Sequence, residues 1–74
     1  MVRLTKFERV RLIGQRAEYL ANGAPPMVDI TGMTNALDIA EKELTEKKIP
    51  LKVLRVYPDG SVVEISVMDP DTEI

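Results

Sequence analysis

The chain of 74 residues has room for one core and predicts a single domain over residues 1–74. It contains no cysteine and no histidine, which excludes disulfides, thiolate or imidazole metal sites, and Ser-His-Asp or Cys-His catalysis. The net charge of −2 conceals an asymmetry: residues 1–16 hold five bases against one acid, and residues 17–74 hold five bases against eleven acids.

The first element opens at Thr5-Lys6-Phe7-Glu8. A Thr N-cap with Glu three residues on forms a capping box, each side chain satisfying a free backbone N–H. No proline interrupts Lys6 to Ala21, and Asn22-Gly23 supplies a stop, so a helix is predicted over that span. At about 100° per residue, Phe7, Val10, Gly14, Ala17 and Ala21 share one side, with Leu12, Ile13 and Leu20 beside them and Arg9 and Arg16 set among them. The resulting apolar arc is roughly twice the width that a helix on a small core needs. One face suits the chain's own core, and the other suits a partner. Gly14 in mid-helix costs about 1 kcal/mol relative to Ala and points to close approach by another backbone.

Ala24-Pro25-Pro26 excludes helix and favours extended geometry; Met27 to Ile30 is compatible with a short strand or an extended lead-in. A second helix is predicted from about Ala36 to Lys47. Asn35 is its N-cap, and Pro50 blocks its extension. Its apolar side is Ala36, Leu37, Ile39, Ala40 and Leu44, with Glu43 at the edge. The remainder changes period. Leu51 to Tyr57 and Val62 to Val67 read as strands joined by Pro58-Asp59-Gly60, a turn signal with Gly at a left-handed position. Asp69, Asp71 and Glu73 fall in a segment, 68–74, expected to be a frayed acidic tail behind a core of about 4–67. The expected class is α+β, a two-to-three-helix core with a C-terminal β-hairpin.

The inventory is poor in chemistry. With 45% hydrophobic and 30% charged residues the composition is that of a folded domain. Its three aromatics, Phe7, Tyr19 and Tyr57, are too few for a base-stacking surface. No stretch approaches a membrane span of about 18 apolar residues and none reads as a signal peptide, so a soluble intracellular protein without membrane partner is expected. No glycine spacing makes a phosphate loop, and the carboxylates frame no metal site. No cofactor, metal, catalytic residue or small-molecule substrate is expected. Arg3, Lys6 and Arg11 could reach phosphates, which keeps open a small nucleic-acid-binding module using the basic first helix. The sequence pI of about 5.0 and the placing of Arg9 and Arg16 within an apolar arc favour ion pairs, buried or interfacial. Glu43 is a candidate acceptor within the chain.

The run Thr5-Lys6-Phe7-Glu8-Arg9-Val10-Arg11-Leu12-Ile13-Gly14-Gln15-Arg16-Ala17 resembles the signature of a small RNA polymerase subunit family. Its members are called subunit K in archaea, the shared subunit six in eukaryotes and omega in bacteria. The likeness continues through Gly23-Ala24-Pro25, Ile39-Ala40, Glu43-Leu44, Lys48-Ile49-Pro50-Leu51 and Arg55 with Pro58-Asp59-Gly60-Ser61. Asn35-Ala36 departs from the Asp-Pro that opens the second helix in many members, and the long acidic N-terminal tail of eukaryotic members is not seen. The resemblance implies an omega-like fold and a non-catalytic subunit of DNA-directed RNA polymerase. That subunit would clamp the largest subunit at its C-terminal region and promote assembly, with the active site in other subunits and nucleic acid met only through the complex. It also implies a partner interface of Phe7, Arg9, Ile13, Gly14, Arg16 and Ala17, with Glu43 in support; packing of the same residues into the chain's own core is the alternative. The lineage, archaeal, eukaryotic or viral, stays open. The expected location is the cytoplasm, or the nucleus for a divergent eukaryotic member.

Overall fold

The structure, a computed structural model, describes residues 1–74. In chain order the elements are β1 (Val2–Arg3), α1 (Lys6–Ala21), α2 (Ala36–Thr45), β2 (Lys52–Val56), β3 (Val62–Ser66) and β4 (Thr72–Glu73). Two helices and two small sheets give an α+β fold; there is no third helix. Thr5 Oγ1 accepts from the Glu8 N–H at 3.1 Å while Glu8 Oε1 accepts from the Thr5 N–H at 2.8 Å, so the capping box starts α1. Gly23, at φ +100°, turns the chain away after Asn22. Asn35 Oδ1 accepts from the Leu37 N–H at 2.8 Å and starts α2.

α2 stops at Thr45, short of the expected Lys47. Lys47 and Lys48 donate their N–H groups to the Leu44 and Glu43 carbonyls, a Schellman ending that places Lys47 at φ 57°. A residue with a Cβ is strained there. The Lys47 Nζ donates to the Asp69 carbonyl at 2.8 Å, so the same residue anchors a distant turn.

β2 and β3 pair antiparallel, Val53 opposite Ile65 and Arg55 opposite Val63, around a turn in which Gly60 takes φ +88°. They are not the last element. Residues 68–74, expected to fray, return to the core instead: β4 pairs in parallel with β1, Val2 opposite Thr72. Thr72 is buried and its Oγ1 donates to the Ser66 carbonyl at 2.7 Å. The side chain of Ile74 packs against the core. The acidic residues there face solvent while Thr72 and Ile74 carry the contact, which explains why charge alone misread the segment. Met27 to Ile30 forms no strand. β1 was not expected from the sequence, because two residues carry no periodicity.

The main core cluster is Leu4, Leu12, Leu44, Ile49, Ile65 and Val67, with Ala17, Ile39 and Ala40 also buried. Only 12 of 74 residues are buried. The molecule is elongated, 45 × 23 × 18 Å, and exposes 5155 Å², against about 4,600 Å² from the scaling of surface with mass. Thr72→Val keeps the shape of the side chain but removes the bond to Ser66. It is expected to lower unfolding free energy by about 1 kcal/mol, measured by urea denaturation; an unchanged midpoint would show that the tail adds nothing.

Candidate functional site

Arg16 and Glu43 meet between the two helices. Arg16 Nε lies 2.6 Å from Glu43 Oε1 and Arg16 Nη2 lies 3.2 Å from Oε2, with Arg16 5% and Glu43 0% exposed. The bidentate geometry suits a planar guanidinium. Each group also bonds the intervening loop: Arg16 Nη2 donates to the Pro25 carbonyl at 2.8 Å, and Glu43 Oε2 accepts from the Met27 N–H at 2.9 Å. One pair therefore joins α1, α2 and the Pro25–Met27 loop, where prolines have removed backbone donors.

Of the residues expected at a partner surface, Arg16, Ala17 and Glu43 are buried inside this chain. Ile13 is half-buried against the core. Arg9 is half-buried, and its Nη1 donates to the Leu4 carbonyl at 3.0 Å, so it braces the start of α1. Phe7 and Gly14 stay on the surface. Phe7 is 85% exposed, and Val10, three residues on, is 63% exposed. Nothing within this chain lies within 4 Å of where a Gly14 Cβ would sit, so no backbone of its own makes the close approach that glycine suggested. Phe7, Val10, Gly14 and exposed Ala21 fall within about 60° of helix surface at about 100° per residue. The wide apolar arc is thus divided into a core side and a bare apolar stripe. Val10 belongs to that stripe and was legible in the arc, where it shares a side with Phe7 and Gly14.

A second ion pair sets α1 against β2. Arg55 Nε and Nη2 donate to Glu8 Oε2 and Oε1 at 2.8 and 2.7 Å, and Nη2 also donates to the Arg3 carbonyl at 2.7 Å. The hydrogen bonds from Arg55, reinforced by the capping contacts of Thr5, lower the Glu8 carboxyl from 4.5 to about 2. Helix spacing exposes Glu8 as a cap but gives no sign of a partner in a strand 47 residues away. No group of three or more acidic side chains converges to hold a metal, and no helix is long and apolar enough to cross a membrane.

A family model described as RNA polymerase Rpb6 matches residues 2–51. The chain is 50% identical over 66 residues to "DNA-directed RNA polymerases I, II, and III subunit RPABC2" of Schizosaccharomyces pombe, covering 89% of this chain and 46% of that protein. It is 52% identical over 64 residues to the Saccharomyces cerevisiae protein of the same name, covering 86% and 41%. It is also 45% identical over 64 residues to "DNA-directed RNA polymerases II and V subunit 6B" of Arabidopsis thaliana, covering 86% and 44%. The chain therefore spans less than half the length of these curated relatives.

Two measurements check this geometry. Glu43→Ala leaves the Arg16 charge buried and unpaired and is expected to cost about 3–5 kcal/mol, most of the stability of a chain this size. A modest loss on thermal denaturation would show the pair to be solvated. For Glu8, a depressed carboxyl contributes stability that is full above 4.5 and is lost as pH falls through about 2. Acid unfolding of the wild type should steepen in that window, and Glu8→Gln should flatten it.

Proposed function

Because this chain belongs to the RNA polymerase Rpb6 family, matched over residues 2–51, we propose that it serves as a non-catalytic subunit of a multisubunit DNA-directed RNA polymerase. In this reading it clamps the largest subunit at its C-terminal region and promotes assembly and stability of the complex. Catalysis, nucleic acid and substrate nucleotides belong to other subunits. Location follows the enzyme, the nucleus in a eukaryote and the cytoplasm of a cell without one.

The observation that carries the reading is the bare stripe of Phe7, Val10 and Gly14 on α1, inside the matched segment. Exposed phenylalanine beside a glycine that admits a second backbone is the composition of an interface centre. Arg9 and Ile13 flank the contact. Arg16, Ala17 and Glu43 hold α1 in place from behind. Arg9, Arg16 and Arg55 are spent on acceptors within the chain, which leaves the nucleic-acid alternative the exposed Arg3, Lys6 and Arg11 without a continuous basic face.

Phe7→Ser should leave stability within about 0.5 kcal/mol, since the ring is exposed. It should weaken retention of the largest subunit about 30-fold, as loss of an interface anchor of about 2 kcal/mol does. Quantitative co-purification of tagged wild type and variant with the polymerase measures this. Equal retention would remove Phe7 from the interface, and a wild type that brings down no polymerase subunit would overturn the reading.

A further inference from the structure

A groove of about 390 Å³ runs between α1 and β2, lined by Phe7, Arg11, Leu12 and Gln15 on the helix and by Lys52, Val53 and Leu54 on the strand. Successive strand side chains point to opposite faces. Three consecutive residues can line one groove only if the strand presents its edge. That edge is unpaired, because the β2–β3 sheet has two strands and β3 lies on the other side. The register says which groups it carries. Tyr57 donates its N–H to the Ser61 carbonyl, so Tyr57, Arg55 and Val53 bond toward β3. Lys52, Leu54 and Val56, alternating with them, turn their N–H and C=O groups outward.

We propose that this groove receives an extended segment of the partner polypeptide as a third strand on β2, one that alternates apolar and acidic residues. The inference rests on the reading of the chain as a polymerase subunit and says which chemistry of partner segment it grips. The strand edge offers main-chain hydrogen bonds, the unit of strand addition. Leu12 and Val53 form an apolar floor for every second side chain. At the rim stand two exposed cations: Arg11, which forms no ion pair within the chain, and Lys52, which pairs only at the surface with Glu64 at 2.9 Å. Glu8, the one acid on the groove wall, is already neutralised by Arg55. A nucleic-acid strand would meet the cations but has no alternating donors and acceptors to match the edge. Phe7 lines the groove and also begins the bare stripe, so strand addition is continuous with the interface proposed above.

The test uses the full chain, free and assembled in its polymerase, with hydrogen exchange read over peptides spanning residues 51–57. In the free chain the amides of Lys52, Leu54 and Val56 should exchange quickly and those of Val53, Arg55 and Tyr57 slowly. Assembly should slow the first set by about tenfold or more. Arg11→Glu, an exposed change that leaves the core untouched, should weaken retention about tenfold and make it less sensitive to salt. Leu54→Pro removes one outward N–H and no β2–β3 bond, and should weaken retention as strongly provided the circular dichroism is unchanged. If the wild type assembles while its edge amides stay fast and Arg11→Glu is retained normally, strand addition is overturned and the subunit reading stands. A wild type that does not assemble overturns both. Edge protection in a concentration-dependent dimer of the free chain would assign the edge to a second copy and overturn the proposal as well.

Discussion

The arrangement depends on one buried ion pair. Arg16 and Glu43 sit where two helices and a proline-bearing loop converge, and each satisfies a loop backbone group as well as the other. Pro25 and Pro26 have no N–H to donate, so the loop cannot hold itself by a ladder; it is held by side chains. An apolar pair of equal volume would fill the same space and leave the Pro25 carbonyl and the Met27 N–H without partners. The charge is retained because the loop needs a donor and an acceptor at one point.

That pair also decides how α1 is used. By fixing the rotation of the helix about its axis, it turns Leu12 and Ala17 inward and leaves Phe7, Val10 and Gly14 outside. The Glu8–Arg55 pair fixes the other end, bringing β2 alongside the helix with its free edge toward the groove. The two ion pairs thus position the stripe and the groove, with Glu8 itself on the groove wall. A core of nine buried apolar residues cannot cover so much apolar area, and much of the surplus lies at Phe7 and Val10 on α1 and at Leu54, Val56, Val62 and Val63 on the two strands of the hairpin.

How much of this was legible in the sequence varied with the kind of signal. Local chemistry was readable: the Thr5–Glu8 capping box, the Asn35 cap and the Gly60 turn are decided within four residues. The width of the apolar arc was readable too, since it is a property of spacing. Its division was not, because Arg16 and Phe7 are equally compatible with a core or an interface until a partner 27 residues away is placed. Gly14 invited a neighbour that this chain does not supply. The 68–74 segment was misread because pairing of β4 with β1 joins residues at opposite ends of the chain, and two-residue strands leave no periodicity. The Arg55–Glu8 contact was hidden for the same reason of distance.

The family match ends at Leu51, one residue before β2 begins. Residues 2–51 therefore carry α1, α2 and the buried pair that orients them, and the strands beyond add the second wall of the groove. The bare stripe lies wholly in the matched part, whereas the groove needs both parts. A partner segment held only by the stripe would find an apolar patch with little orientation. One that also meets the edge of β2 would have its direction and register set by hydrogen bonds. Ile65 and Val67 join the two parts through the core, and the bidentate Arg55–Glu8 pair fixes β2 against α1, so together they decide whether helix and strand act on a partner as one surface.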